Sequence, residues 1–389
     1  MKPYVVSIVR DEDVSRQVQQ AIALIGGMEK YVQPGGRVLI KPNMTGPAPY
    51  TKGVTTNPAV VEALARMAFA AGAGSVDIGD GTGSVHIGSI KVLELCGMAE
   101  VAERTGCGLV DLNKGATVKI PVENGEILDY VQVNKHYLED YDTVINVPVL
   151  KTHFITQVSL GMKNMKGVIP PAEKRRFHDV GVSQAVADLN CVVKTTLTVM
   201  DGTVAGEGLG PKEGKAVGFH TVLAGENILA VDMVSTAVMG FDPMEIDHIR
   251  MVAQHGMGPA SLEEIQVEGM TIDEAKRPFL PATPKMPDSD QAEVVNFESC
   301  SGCMGAAAIA ISRLDDMGFF KDNPDKKIVL VIGTKVPKDF KLEPGIFLVG
   351  NCAAGKCPAA NRLIGCAPSA LDVANSVLDY YGIENRPYV

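Results

Sequence analysis

Apolar residues fall in short runs separated by stretches of helical spacing. YVVSIV (4–9) reads as a strand, and residues 13–27 carry apolar positions at helical intervals before ending on glycines. RVLIKPN (37–43) is a second strand, followed by a Gly/Pro/Thr loop through Thr55 and Thr56. Asn57 as N-cap and Pro58 at the first helical position open a helix that runs to about Ala71. SVDIGD (75–80), DTVINVPVLK (142–151) and KTTLTVMDG (194–202) are further strands. This β-α-β-α order predicts an α/β fold with a mostly parallel, helix-covered sheet.

Residues 271–291 break the pattern with prolines and charges and read as a linker. The pattern then restarts. EVVNF, KKIVLVIG and GIFLVG are strands, CSGC leads into a helix, and APSALDVANSVLDYYG is a closing helix. The expected organisation is an α/β domain over 1–270, a linker over 271–291, and a second, smaller α/β domain over 292–389.

A 46% hydrophobic composition is enough to bury a core, and a formal net charge of −10 disfavours non-specific nucleic-acid binding. The first residues are interrupted by charge and lack the apolar stretch of a signal peptide. No window has the uninterrupted apolar length of a membrane span. The expected location is the cytoplasm, with no membrane partner. Cysteines there seldom form structural disulfides, so clustered ones point to metal or redox chemistry.

Of eight cysteines, Cys96, Cys107 and Cys191 are scattered among apolar neighbours and read as core thiols, whereas five lie between Cys300 and Cys366. They occur as Cys300-Ser-Gly-Cys303, Asn351-Cys352, Cys357, and Gly365-Cys366, each group following an apolar strand. Loops at the strand ends of an open α/β sheet converge on one crevice. A 4Fe–4S cluster needs four thiolates, and the expected set is Cys300, Cys303, Cys352 and Cys366. Cys357, mid-loop beside Lys356 and Pro358, is the reserve ligand. A zinc site would more often present two CxxC knuckles, and only one is present. A thioredoxin-type CxxC would leave three thiols unexplained.

The first domain carries polar groups at its predicted strand ends. Lys41 and Asn43 close one strand, and Asp80 opens the glycine turn DGTGS after another. Lys151 and His153 follow a third strand, ahead of Lys163, Asn164 and Lys166 in SLGMKNMKG and of His178. Lysines without interleaved acids predict an anion site rather than a solvated loop, whose charges would normally mix in sign. On this reading Lys41, Asn43, Asp80, Lys151, Asn164 and Lys166 bind a carboxylate or phosphate, and His153, His178 and Lys163 are catalytic. The turn at Asp80 matches neither GxxxxGK[ST] nor a full GxGxxG. No motif specifies a flavin or nucleotide, and a second cofactor is left open. His86, His136, His220, His248 and His255 are isolated and read as structural, and Asp232 and Asp242 as caps or turn residues.

IKPNMTG, TTNPAVVEAL, VDIGDG, NVPVLKTHFITQVSLGMKNMKGVIP, HDVGVSQAVADLN and VMDGTVAGEGLGP together resemble the family catalogued as domain of unknown function 362, over roughly residues 1–265. That family sometimes occurs in iron–sulfur proteins, so the resemblance implies a cluster and points to the same lysines. The tail CSGC…VGNC…IGCAP resembles a cluster-binding half that follows the domain in some members, with Ala367 where a proline is expected. The leading expectation is an iron–sulfur redox enzyme whose cluster passes one electron to a small anion held by the lysines. A non-enzymatic electron carrier or metallocentre-assembly factor is the first alternative. A non-redox ligase, transferase or racemase with structural zinc is the second. An electron-transfer partner protein would follow from the first two, and self-association is left open.

Overall fold

The computed structural model describes residues 4–83, 87–284, 290–355 and 361–384. It divides into two compact units, Met1–Ala282 and Thr283–Val389. The fold is α/β: a large, mostly parallel sheet with helices on it, and a smaller C-terminal parallel sheet.

In chain order the strands of the first unit are β1 (Tyr4–Arg10), β2 (Arg37–Pro42), β3 (Ser75–Asp80), β4 (Gly108–Asp111), β5 (Thr117–Pro121), β6 (Tyr130–Asn134), β7 (Thr143–Val147), β8 (Val149–His153), β9 (Gln157–Ser159), β10 (Leu197–Glu207), β11 (Lys215–Gly225) and β12 (Ile265–Gly269). The main path runs β12-β1-β11-β10-β7-β2-β3-β4. Along it β11 is the antiparallel member, pairing with both β1 and β10. Strand β2 shows why both faces are covered. Val38 and Ile40 enter one apolar cluster with the helix Pro58–Ala70, while Leu39 enters the other with the helices Val182–Val192 and Ile228–Val238. A period of two with apolar residues on both faces is what a buried parallel strand requires.

Asn57 caps its helix as its sequence promises, accepting from the Ala59 amide, with Pro58 next. Two expectations need correction. The run 142–151 is two strands, because Pro148 has no amide hydrogen to continue the ladder. The strand expected over 194–202 starts at Leu197, continues to Glu207 and turns back antiparallel as β11, a hairpin that the apolar pattern had not shown.

The first part of the expected linker is folded into the first unit. Thr271 and Glu274 form a reciprocal cap on Ile272–Ala275, Arg277 pairs with Glu207 at 2.9 Å, and Phe279 is buried edge-on against Phe219. Proline and charge there mark chain running over a surface, not chain free of it.

The second unit has β13 (Ala292–Phe297), β14 (Ile328–Gly333), β15 (Ile346–Val349) and β16 (Arg362–Leu363), all parallel and in chain order across the sheet. The helices Ser301–Asp316 and Ala370–Tyr380 pack on one another. Among the described residues no helix is long and apolar enough to cross a membrane.

Candidate functional site

The C-terminal ends of β2, β3 and β7 and the chain beyond β8 bring the lysines of the first unit together. Lys41 is fully buried and forms a 2.8 Å ion pair with Asp80. The second carboxylate oxygen of Asp80 accepts the Met44 amide at 3.0 Å. Gly167 makes this possible, since a Cβ there would lie 2.0 Å from Asp80 Oδ1 and 2.5 Å from Lys41 Nζ. Lys151, 1% exposed, donates to Asn43 Oδ1 at 2.5 Å, Thr45 Oγ1 at 3.2 Å and the Val54 carbonyl at 2.5 Å. An ammonium has three hydrogens, so this one is fully occupied. Asn43 Nδ2 donates to Asn164 Oδ1, and Asn164 Nδ2 to Asn146 Oδ1 and the Lys41 carbonyl.

These contacts change the role of five predicted anion ligands. Lys41, Asn43, Asp80, Lys151 and Asn164 form an internal polar network and hold one another. The DGTGS turn is a packing turn: the Gly81 amide donates to the Gly167 carbonyl, and the Gly81 carbonyl accepts from Lys174 at 2.7 Å. Ser84 and His86 lie outside the described residues.

Two lysines differ. Lys163 lies in the short helix Gly161–Asn164 and Lys166 in the turn that follows, one helical step apart on one face. Both are surrounded by protein yet keep some solvent contact. Lys163 Nζ makes no hydrogen bond or ion pair with a described residue; burial, then Lys166 and Lys151, push its pKa well below the lysine range. Burial brings Lys166 down to about 8. Its Nζ lies 3.3 Å from His178 Nε2, and burial with Lys166 and Lys163 pushes that imidazole down to about 2. His178 is therefore neutral and accepts from Lys166.

His153, beside the same charges, is also pushed well down, by burial first and then Lys163. Its Nδ1 accepts the amides of Ile155 and Thr156, which leaves its proton on Nε2. Among the described residues, no carboxylate is named among the groups that shift Lys163, Lys166 or His153. The cluster is basic.

Asp232 fixes the helix that carries Lys163. Fully buried on Ile228–Val238, it accepts the amides of Gly161 at 2.7 Å and Met162 at 2.8 Å. Burial still raises its carboxyl to about 7. It is a cap, as read, but for a helix distant in sequence; Asp242 caps locally at Met244.

Two groups were missed by sequence reasoning. Lys174 donates to the Gly81 carbonyl and to Asn113, and burial brings it to about 7. The signal was its spacing, four before His178 and three before buried Phe177 on one helix. His248 is fully buried with neither ring nitrogen partnered, and burial and Lys163 push it down to about 3. Nothing local in the sequence distinguishes it. Of the other isolated histidines, His136 pairs with Asp140, His220 with Glu12 and His255 with Glu126.

In the second unit the cysteines follow strand ends. Cys300 occupies the N-cap position of the helix Ser301–Asp316 after β13 without a side-chain capping bond, Cys352 follows β15 and Cys366 follows β16. The loops bearing the last two are tied together: the Asn351 amide donates to the Gly365 carbonyl at 2.9 Å, and the Gly365 amide to Asn351 Oδ1 at 2.8 Å. The Cys303 thiol donates to Cys300, and that bond, burial and the nearby Cys366 and Cys352 sulfurs raise its pKa strongly. A Cβ at Gly350 would sit 2.6 Å from Cys303 Sγ, so glycine is what lets that backbone lie on the sulfur. Cys303 is buried, Cys300 half-buried, and Cys352 and Cys366 exposed. Among the described residues no three or more metal-ligating side chains are drawn to metal-holding distance. Cys300, Cys352 and Cys366 are the thiols that act on Cys303. Cys357 lies outside the described residues. Of the expected core thiols, Cys96 is buried, while Cys107 and Cys191 are only half-buried.

The model for the domain of unknown function DUF362 matches residues 38–237. The chain belongs to this family. The DUF362 region contains every lysine described above, whereas His248 and the C-terminal cysteines fall outside it. A thylakoid-associated protein of Synechocystis sp. is 30% identical over 247 residues, 61% of this chain and 74% of that protein. The lactate racemase apoprotein of Thermoanaerobacterium thermosaccharolyticum aligns over 84% of this chain and 68% of its own, at 11% identity and a TM-score of 0.39. A Thermotoga maritima structure aligns over 92% of this chain and all of its own, at 10% identity and 0.39.

Proposed function

We propose that this DUF362 protein is an iron–sulfur redox enzyme that binds a small anionic substrate or cofactor at Lys163, Lys166 and His178. Cys300, Cys352 and Cys366 lie after successive strand ends and all three act on Cys303, which supports the iron–sulfur half of the reading. Cys300, Cys303, Cys352 and Cys366 would hold a 4Fe–4S cluster, which when bound supplies one-electron exchange. The donor set fits: all sulfur, one member in the first turn of a long helix whose N–H groups favour negative charge, and a glycine cradle against one sulfur.

In the first unit the chain's own residues bind, orient and move protons. A carboxylate or phosphate entering this site meets Lys163 and Lys166, whose charged forms it stabilises. That raises their pKa values, so binding takes up protons. As Lys166 turns to the anion it gives up its contact with His178 Nε2, and the anion's charge raises the imidazole toward its ordinary range. His153 keeps its Nε2 hydrogen as a donor. Lys41, Lys151 and Asn164 keep the network rigid behind them.

Iron and acid-labile sulfide should be counted on anaerobically purified wild type and on Cys300→Ser, Cys303→Ser, Cys352→Ser and Cys366→Ser. Each variant should lose most of its iron, while Cys96→Ser keeps it. Full iron in Cys303→Ser together with Cys366→Ser would overturn the assignment.

A further inference from the structure

Resting on the anion-site reading, we propose that Lys163 is an amine nucleophile, which condenses with the carbonyl carbon of a small 2-oxo acid or similar anionic carbonyl compound while Lys166 holds its anionic end.

The five lysines of this region divide by what their nitrogens touch. Lys41 has Asp80, Lys151 has three oxygen acceptors, and Lys174 has Gly81 and Asn113. Lys166 faces His178. Lys163 alone among them touches no described acceptor, yet it is only half-buried and keeps solvent contact. A lysine meant only to balance charge would be expected to have an acid beside it, and none acts on this one. Its helix is anchored at the start by Asp232, and Gly161 is the residue that admits that carboxylate: a Cβ there would lie 2.7 Å from Asp232 Oδ1. The start of its helix is held in place, and the amine has no partner among the described residues.

Burial and the neighbouring cation favour its uncharged form, the usual way to activate a lysine toward carbonyls. The chemistry balances without a redox partner. The Nζ lone pair forms the C–N bond as the C=O π pair moves to oxygen, which takes a proton. That proton comes from the nitrogen by way of solvent, which Lys163 still contacts; the hydroxyl then leaves as water on taking a second proton from solvent, and the iminium nitrogen releases its last N–H proton back to solvent. Amine plus carbonyl gives imine plus water. The Lys166 ammonium then pairs with the carboxylate next to the new bond.

Glyoxylate serves as the probe, an aldehyde carrying one carboxylate. The full chain is incubated with it, reduced with sodium borohydride, digested and mapped by mass spectrometry. Lys163 should be modified about tenfold faster than exposed Lys52. Acetate should suppress that modification but not the one at Lys52. Lys166→Gln should slow it, and Lys163→Gln, checked for folding by its melting curve, should abolish it. Labelling confined to exposed lysines, while acetate or phosphate still raises the melting temperature, would overturn the nucleophile and leave the anion site standing. No labelling and no effect of either anion would overturn both.

Discussion

In the first unit the grouped side chains are lysines, three of them tied to fixed oxygen acceptors. In the second unit they are thiols, on loops whose backbones are tied to one another. Burial disfavours the charged form of a lysine, and neighbouring lysines add to this at Lys151, Lys163 and Lys174; hence the depressed values of those three and of Lys166. Thiols are neutral when protonated and tolerate one another, as Cys303 donating to Cys300 shows. They repel only once ionised. The two clusters are therefore linked to protons with opposite sign. On the proposed reading, an anion bound by Lys163 and Lys166 would take protons up, so its affinity would rise as pH falls. A metal bound by the thiols would drive protons off, so its affinity would rise with pH.

The comparison breaks most readily at Asp80. Asp80→Asn leaves Lys41 buried without its counter-charge and should destabilise the first unit by about 3–5 kcal/mol, measured by urea denaturation. A loss under 1 kcal/mol would mean that the ion pair does not hold the lysine network. The matching change in the second unit is Gly350→Ala. It places a methyl against Cys303 Sγ at a backbone φ of +91° and should cost about 1–3 kcal/mol. It should also lower iron content while anion binding persists; unchanged iron would detach Gly350 from the cysteine site.

A smaller effect sharpens the sign of the linkage. Lys151 and Lys174 fall to about 7 and Lys166 to about 8, all below the unfolded value of 10.5. The folded chain therefore binds fewer protons than the unfolded chain above about pH 7. Stability should rise with pH from there, and below that the destabilisation is fully present. A thermal melt of ligand-free protein between pH 7 and 8.5, before the buried tyrosines and thiols reverse the trend, should show a rising midpoint. Phosphate should stabilise more at pH 7 than at 8.5. A falling midpoint without ligand would contradict the depressed lysines.

Much of this was legible from residue order. Strand ends with Lys41, Asp80, Lys151 and Cys300 do lie at the C-terminal edges of parallel sheets, because period and connection set that edge. Which lysines are occupied was not legible. Lys151 is satisfied by Asn43 and Val54, about a hundred residues away, and no local pattern reports that. Lys163 and Lys151 look equivalent in sequence and differ only through those distant acceptors. That Asp232 caps was legible, but not that it caps a helix about seventy residues earlier through the amides of Gly161 and Met162, nor that His248 is fully buried. The β11 return strand was hidden because KAVGFH is a weak apolar run, made a strand by the partners on either side of it.

The central claim, that Cys300, Cys303, Cys352 and Cys366 form a cluster site, is tested most directly by the absorption spectrum of anaerobically purified chain with its iron and sulfide count. About four irons and four sulfides per chain, with a broad band near roughly 400 nm that bleaches on adding dithionite, is the expected result. One zinc per chain, with no iron and no visible band, would contradict it.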